Sequence, residues 1–208
     1  MISKSLFLSY ILPFTLSQEG GYSNNRYDSG GETYRGISRV KNPTWSGWQI
    51  VDRFKPLKRN QVIEELEGSV KEFYYTNYFL APSFNSLNSK KVALSLFDFH
   101  VNGGLSLTWL KSEIKRRFGK TFKNNADLFC YINTLDENYV SKLILDKRKS
   151  YFDNLSKSSK YARFGIGWNK RLIALRAYLN IAYIATGGAI ILVIIFYLIF
   201  RRFRNETS

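Results

Sequence analysis

The chain is short of the residues that build redox and metal chemistry. Its 208 residues include a single cysteine, Cys130, and a single histidine, His100. No intrachain disulfide can form, and neither a cysteine-based nor a histidine-rich metal site can be assembled. The lack of disulfides leaves the compartment open, because proteins without them also work outside cells. Acidic residues are scarce as well: 16 Asp and Glu stand against 31 Lys and Arg, a net charge of +15. Such a balance suits an anionic partner, whether nucleic acid, acidic lipid headgroups or a wall polymer, or else a lysine-rich solvated surface. No recognised nucleic-acid-binding motif accompanies the charge, so no nucleic-acid partner is expected. Neither an internal repeat nor a low-complexity tract is present.

One stretch lacks charge altogether. Residues 181–200, opening with Ile181 and closing with Phe200, contain no charged residue. As a helix this run measures roughly 30 Å, about the hydrocarbon thickness of a bilayer. Tyr183 and Tyr197 stand toward its ends, and Arg201, Arg202 and Arg204 follow it. These features predict one C-terminal transmembrane helix. Ala185 and Ala189, with Gly187 and Gly188 between them, form a small-residue face that could pair such helices. Basic residues flank both sides, so charge asymmetry does not fix the orientation.

At the other end Lys4 precedes an apolar run from Leu6 to Leu16. That is the outline of a secretory signal, but Pro13 interrupts it and no small-residue cleavage site follows. We expect it to be the first helix of the domain. Helical periodicity is also expected over residues 60–78 with Asn60 as N-cap, 91–100, 105–118 and 135–155 with Asp136 as N-cap, and 168–180. Residues 20–50, rich in Gly, Ser, Asn and Thr, predict a small hairpin lobe instead.

The densest chemistry lies where that lobe begins. Gln18-Glu19-Gly20-Gly21-Tyr22 is followed by Asp28, Gly30-Gly31, Thr33 and Gly36-Ile37. Glycines at this density let the chain turn sharply or let a ligand approach the backbone. Glu19 ends an apolar segment, where desolvation would favour its protonated form. Asp28 sits among Asn24, Asn25, Arg26 and Ser29, a polar setting that keeps a carboxylate ionised. Two carboxyls in contrasting settings are what glycosidic cleavage requires: one acid for the leaving oxygen, and one group to stabilise the sugar cation or direct water. The plainer alternatives are a helix-end carboxylate for Glu19, a turn former for Asp28 and a strand residue for Thr33. Glu32 is expected to be a solvated turn residue. Asp98 and His100 are expected to be structural, Asp98 as a core hydrogen-bonding group. Trp45 and Trp48 are expected to pack in the core rather than stack on sugars.

The segment from Glu19 to Ser38, E-G-G-Y-x5-D-x-G-G-x-T-x2-G-I-S, resembles the signature of glycoside hydrolase family 108, bacterial and phage N-acetylmuramidases. Two further stretches agree. Asp98 to Gly104 resembles the family's D-x-x-V-N-S-G segment, with Gly103 in place of serine. Phe164 to Arg171 resembles its F-x-x-G-W-x-x-R segment, which closes an adjoining peptidoglycan-binding-type region. The resemblance implies a mainly α, α+β lysozyme-like fold. It implies cleavage of the β-1,4 bond between N-acetylmuramic acid and N-acetylglucosamine, with Glu19 as the acid and no metal or organic cofactor. By a looser likeness to phage-type lysozymes, Asp28 and Thr33 hold a water or stabilise the cation, although the gap between them is one residue shorter here. Tyr22, Gly36 and Asn102 are candidates to contact the glycan. Asn102, with Gly103-Gly104, either shapes the cleft floor or merely stops a helix.

The expected organisation is a muramidase segment at 1–90, a helical peptidoglycan-binding-type segment at 91–178, and the membrane helix with its basic tail at 179–208. Peptidoglycan strands and a membrane are the expected partners. The enzyme would face the wall from a host inner membrane or from the internal membrane of a lipid-containing virus particle, in phage lysis or cell entry. The alternative is a non-catalytic wall-binding anchor.

Overall fold

The computed structural model describes residues 1–24, 31–103 and 107–180. The chain divides between Leu135 and Asp136 into two compact units. The first opens with α1 (Lys4–Leu6), a π-helical segment Phe7–Ile11 and α2 (Leu12–Gln18). The wide π turn comes directly before Pro13, whose ring lacks an N–H and would press on a carbonyl of the preceding turn. Phe7, Ile11, Leu12 and Phe14 are buried, so this apolar run is a core helix of the domain.

The glycine-rich stretch forms the expected lobe. Strands β1 (Tyr22–Asn24), β2 (Glu32–Tyr34) and β3 (Ile37–Ser38) pair antiparallel in sequence order. Tyr22 lies opposite Tyr34, and Thr33 opposite Ser38. Side chains alternate along a strand, so Tyr22 and Tyr34 share one face with Ile37, all three buried. Ser23, Thr33 and Ser38 occupy the other face. Helix α3 (Gly47–Arg53) follows. Trp48 is buried there with its indole N–H donated to the Asn42 carbonyl at 2.7 Å. Trp45 packs edge-on against it at 5.1 Å and stacks on Tyr34. Both tryptophans are therefore packing residues.

The expected helix over 60–78 starts later and ends later. A 3-10 turn Glu64–Leu66 leads into α4 (Glu67–Tyr74), which continues as a π-helical segment Tyr75–Leu80. Asn60 is not its cap. Its φ is +63°, and its N–H donates to the Tyr22 carbonyl at 2.8 Å while Gln61 accepts from the Tyr22 N–H at 2.9 Å. Pairing with β1 holds this segment out of the helix, an interaction across almost 40 residues that local cap rules do not contain.

Helix α5 (Lys90–Gly103) is buried continuously from Val92 to Phe99. Its Phe97 joins Phe7 and Phe79 in an aromatic core, with ring centroids 5.2 and 6.0 Å away. Helix α5 packs inside the first unit. Helix α6 (Leu107–Phe118) stops at Gly119, whose φ is +68°, and α7 (Asn125–Ile132) is capped by Asn124.

The second unit contains α8 (Glu137–Leu155) and α9 (Gly165–Tyr178). Asp136 caps α8, its carboxylate accepting from the Tyr139 N–H at 2.7 Å, as its sequence position predicts. The two helices run antiparallel: Phe152 stacks on Trp168 at 4.6 Å, and Asp146 accepts from Arg176 at 2.7 Å. The charge-free run at 181–200 lies outside the described residues. Among those described, no helix is long and apolar enough to cross a membrane.

Candidate active site

Glu19 is where α2 gives way to extended chain. Its N–H still closes the last helical turn onto the Thr15 carbonyl at 3.2 Å, but its own backbone has φ −91° and ψ 136°. The half-buried side chain thus projects from a helix end. That end is fixed from behind, because the Thr15 hydroxyl donates to the Asp98 carboxylate at 2.8 Å and both groups are fully buried. Asp98 is the core hydrogen-bonding group its sequence context predicts.

Beyond Glu19 the chain must pass close under another loop. A β-carbon at Gly21 would run into the carbonyl oxygens of Asn60 and Gln61. The hairpin then returns to the same place. Arg35 and Gly36, with φ +47° and +78°, form a two-residue turn between β2 and β3 with both central residues left-handed. The Arg35 N–H donates to the Gly21 carbonyl at 3.1 Å, and the Tyr74 hydroxyl donates to the Arg35 carbonyl at 2.7 Å. Two bonds from the Arg35 guanidinium to Glu67, 3.0 and 3.1 Å long, complete the anchorage. The turn therefore stands against the acid: a β-carbon at Gly36 would lie 2.9 Å from Glu19 Oε2 and 2.5 Å from Tyr74 Oη.

An aromatic wall completes the surroundings. Tyr74 and Tyr78 lie one turn apart with ring centroids 5.6 Å from each other, and Tyr78 packs at 5.6 Å on His100. The Tyr78 phenol is pushed up by burial first and by the charge of Glu19 second. His100 also meets Phe84 edge-on at 5.9 Å, which is the packing role expected of it. Asn102 is one turn beyond Asp98 on α5. That helix runs beside the first in the same direction, as the contacts of Lys90 on Tyr10 and Asp98 on Thr15 require. His100 and Asn102 are thus at the Glu19 end of the pair.

Tyr22, Thr33 and Glu32 have partners within the sheet and beside it. Tyr22 is buried, with its hydroxyl donated to Glu32 at 2.9 Å; burial, then Glu32, raises its pKa. Thr33 is on the opposite face of the sheet, its hydroxyl donated to the Gly31 carbonyl at 3.2 Å. Asp28 lies outside the described residues. Glu32 is not a solvated turn residue: it is a strand residue, 11% exposed, bound by Arg39 and Lys55 at 2.7 Å each. Burial pushes its pKa up, but the bonds from Lys55, Arg39 and Tyr22 prevail and hold it below the usual carboxylate range. Sequence reasoning missed Arg35, Tyr74 and Tyr78. The spacing of the two tyrosines on the apolar stripe of α4 and its extension is the signal that could have found them.

On this mainly helical fold, the helix-end carboxyl of Glu19 thus meets the turn of a small antiparallel sheet and a pair of tyrosines. Residues 12–104 match the family described as glycosyl hydrolase 108. The protein is a glycoside hydrolase that degrades peptidoglycan. The solved structure of Brucella abortus SagA is similar in fold, with a TM-score of 0.59 and 20% identity over 86% of this chain and 95% of that one. No curated protein matches the chain.

Proposed function

We propose that the protein is a muramidase, hydrolysing the β-1,4 bond between N-acetylmuramic acid and N-acetylglucosamine. The observation that carries this is the placement of Glu19, at a helix end, half-buried, between the Gly36 turn and Tyr78. A carboxylic acid there can hand its proton to the bridging oxygen as the bond breaks, while the aromatic wall limits access of water. The remaining carboxylate of Glu19 can then take a proton from water during hydrolysis. Asp28 is the proposed second group, stabilising the sugar cation or directing water. Thr33 donates its own proton to Gly31, so its oxygen lone pairs can accept from such a water. Gly36 forms the lip against which a glycan strand would lie, with Asn102 at the floor and Tyr22 supporting the sheet beneath.

In this proposal residues 181–200 tether the enzyme to a membrane, that of a host cell or of a lipid-containing virus particle, during lysis or entry. The supporting feature is the charge-free run closed by Arg201, Arg202 and Arg204. Protease protection of a tagged chain in intact cells, with a search for it in purified particles, tests that placement.

The catalytic proposal is tested by muropeptide release from purified walls. Glu19→Gln should lower it by about 100-fold or more with an unchanged circular dichroism spectrum. New reducing ends on muramic acid identify hydrolysis, and anhydro ends identify transglycosylation. Equal activity in the variant removes Glu19 from the chemistry. Retention of walls with no new ends in the unmodified chain favours the wall-binding anchor instead.

A further inference from the structure

Helix α9 has two apolar sides. Leu172, Leu175 and Leu179 are buried on one. On the other, Ile166 and Ile173 recur seven residues apart and are 72% and 46% exposed. Lys170 lies between them on the same face, also exposed. The 3-10 turn Ala162–Phe164 that leads into the helix extends the pattern. Phe164 is 42% exposed with the Arg163 guanidinium 4.7 Å above its ring, and Lys160 covers Tyr161 in the same way. Among the described residues, no carboxylate pairs with Lys160, Arg163 or Lys170.

The surrounding charge is of one sign. Between Asp153 and Glu206 the chain contains no further Asp or Glu, while Lys157, Lys160, Arg163, Lys170, Arg171 and Arg176 fall within the described part of that interval. Exposed isoleucines set beside Lys160, Arg163 and Lys170 match the boundary between acyl chains and anionic headgroups, where each kind of side chain finds a partner. An anionic wall polymer would answer the cations alone and leave Ile166 and Ile173 in water. The charge-free run begins three residues after α9 ends.

We infer that the outer face of α9, with the turn before it, is an interfacial docking surface for anionic phospholipid. This goes beyond a tether. The folded second unit itself would lie on the headgroups, and only on a membrane carrying negative lipid.

The test uses the full chain with Cys130→Ser and Ala162→Cys, the new thiol carrying a polarity-sensitive fluorophore. The chain is placed in nanodiscs of phosphatidylcholine with or without phosphatidylglycerol. Co-elution with discs reports the tether separately; a chain that does not enter them is given anionic vesicles and read in the same way. The label should enter an apolar setting only with phosphatidylglycerol. Lys160→Gln, Arg163→Gln and Lys170→Gln together should shift the docked ratio by about 100-fold, roughly fivefold per cation. Ile166→Ser with Ile173→Ser should also release the label, with the fold checked by circular dichroism. The proposal is overturned by a water-like signal on both lipids, by an apolar signal indifferent to lipid charge, or by a response to soluble polyglycerol phosphate in place of anionic lipid.

Discussion

The carboxyl of Glu19 and the backbone of Gly36 occupy adjoining space: a β-carbon at position 36 would stand 2.9 Å from Glu19 Oε2. Glycine is required there twice over, for that clearance and for the φ of +78°. Gly36→Ala should therefore cost about 1–2 kcal/mol in stability from the backbone alone. It should also displace the acid, so that activity at a temperature where the variant is fully folded still falls at least tenfold. Thermal melts and muropeptide release on one preparation separate the two effects. A loss of activity no larger than the loss of folded protein would leave Gly36 a purely structural residue. Adding Tyr74→Phe removes the other obstruction, 2.5 Å away, and should recover part of the lost activity.

Thr15 and Asp98 hold the helix end that presents Glu19. Their 2.8 Å bond is fully buried, so removing the Thr15 hydroxyl takes a donor from a buried carboxylate. Thr15→Val leaves a buried carboxylate short of a donor and should destabilise the first unit by about 1–3 kcal/mol. Asp98→Asn keeps an acceptor and should be milder. Urea unfolding measures both. A Thr15→Val variant as stable as the parent would show that the bond contributes nothing net.

What the sequence revealed is what short-range rules can see. Glu19 stood out because an apolar segment, an acid and two glycines are contiguous, and that is how a helix ends at a tight passage. Asp136 was readable as a cap for the same reason. Asn60 looked like a cap too, yet its backbone is claimed by Tyr22. Glu32 looked like a solvated turn residue because its contacts with Tyr22 and Lys55 exist only once the strands pair and the chain folds back. The Arg35–Gly36 turn went unread because its meaning lies in what it faces, and Tyr74 and Tyr78 looked like ordinary members of a helical stripe.

Tyr78 should report the presence of Glu19 in its own titration. Burial raises the Tyr78 phenol, and the nearby carboxylate raises it further. Glu19→Gln removes the charge and leaves the burial, so the Tyr78 pKa should fall while staying above that of a free tyrosine. Carbon NMR on ring-labelled tyrosine, assigned with Tyr78→Phe, measures it. A Tyr78 pKa unmoved by the substitution would place the two groups too far apart to share a site.

The ion cluster of Glu32, Arg39, Asp52 and Lys55 should set the acid limit of the fold. Bonds from Arg39 and Lys55 hold Asp52 far below the usual carboxylate range, and the same two cations keep Glu32 low despite its burial. A carboxylate depressed in the folded state adds stability that is complete above its unfolded pKa, about 4.3 for a glutamate, and lost as pH falls through the folded value. Asp52 is largely exposed and solvent screens its pairs, so Glu32, 11% exposed, should carry more of the effect. Stability is thus expected to be flat from neutrality down to about pH 5 and to decline below it. Glu32→Gln should lower stability at pH 7 by about 1–3 kcal/mol and flatten the decline, since the group that must be protonated is gone. Urea midpoints from pH 7 to pH 3 provide the check: an unchanged slope in the variant would move the acid sensitivity elsewhere. Glu113, held at about 2 chiefly by its bond from Arg116, is the next carboxylate to replace.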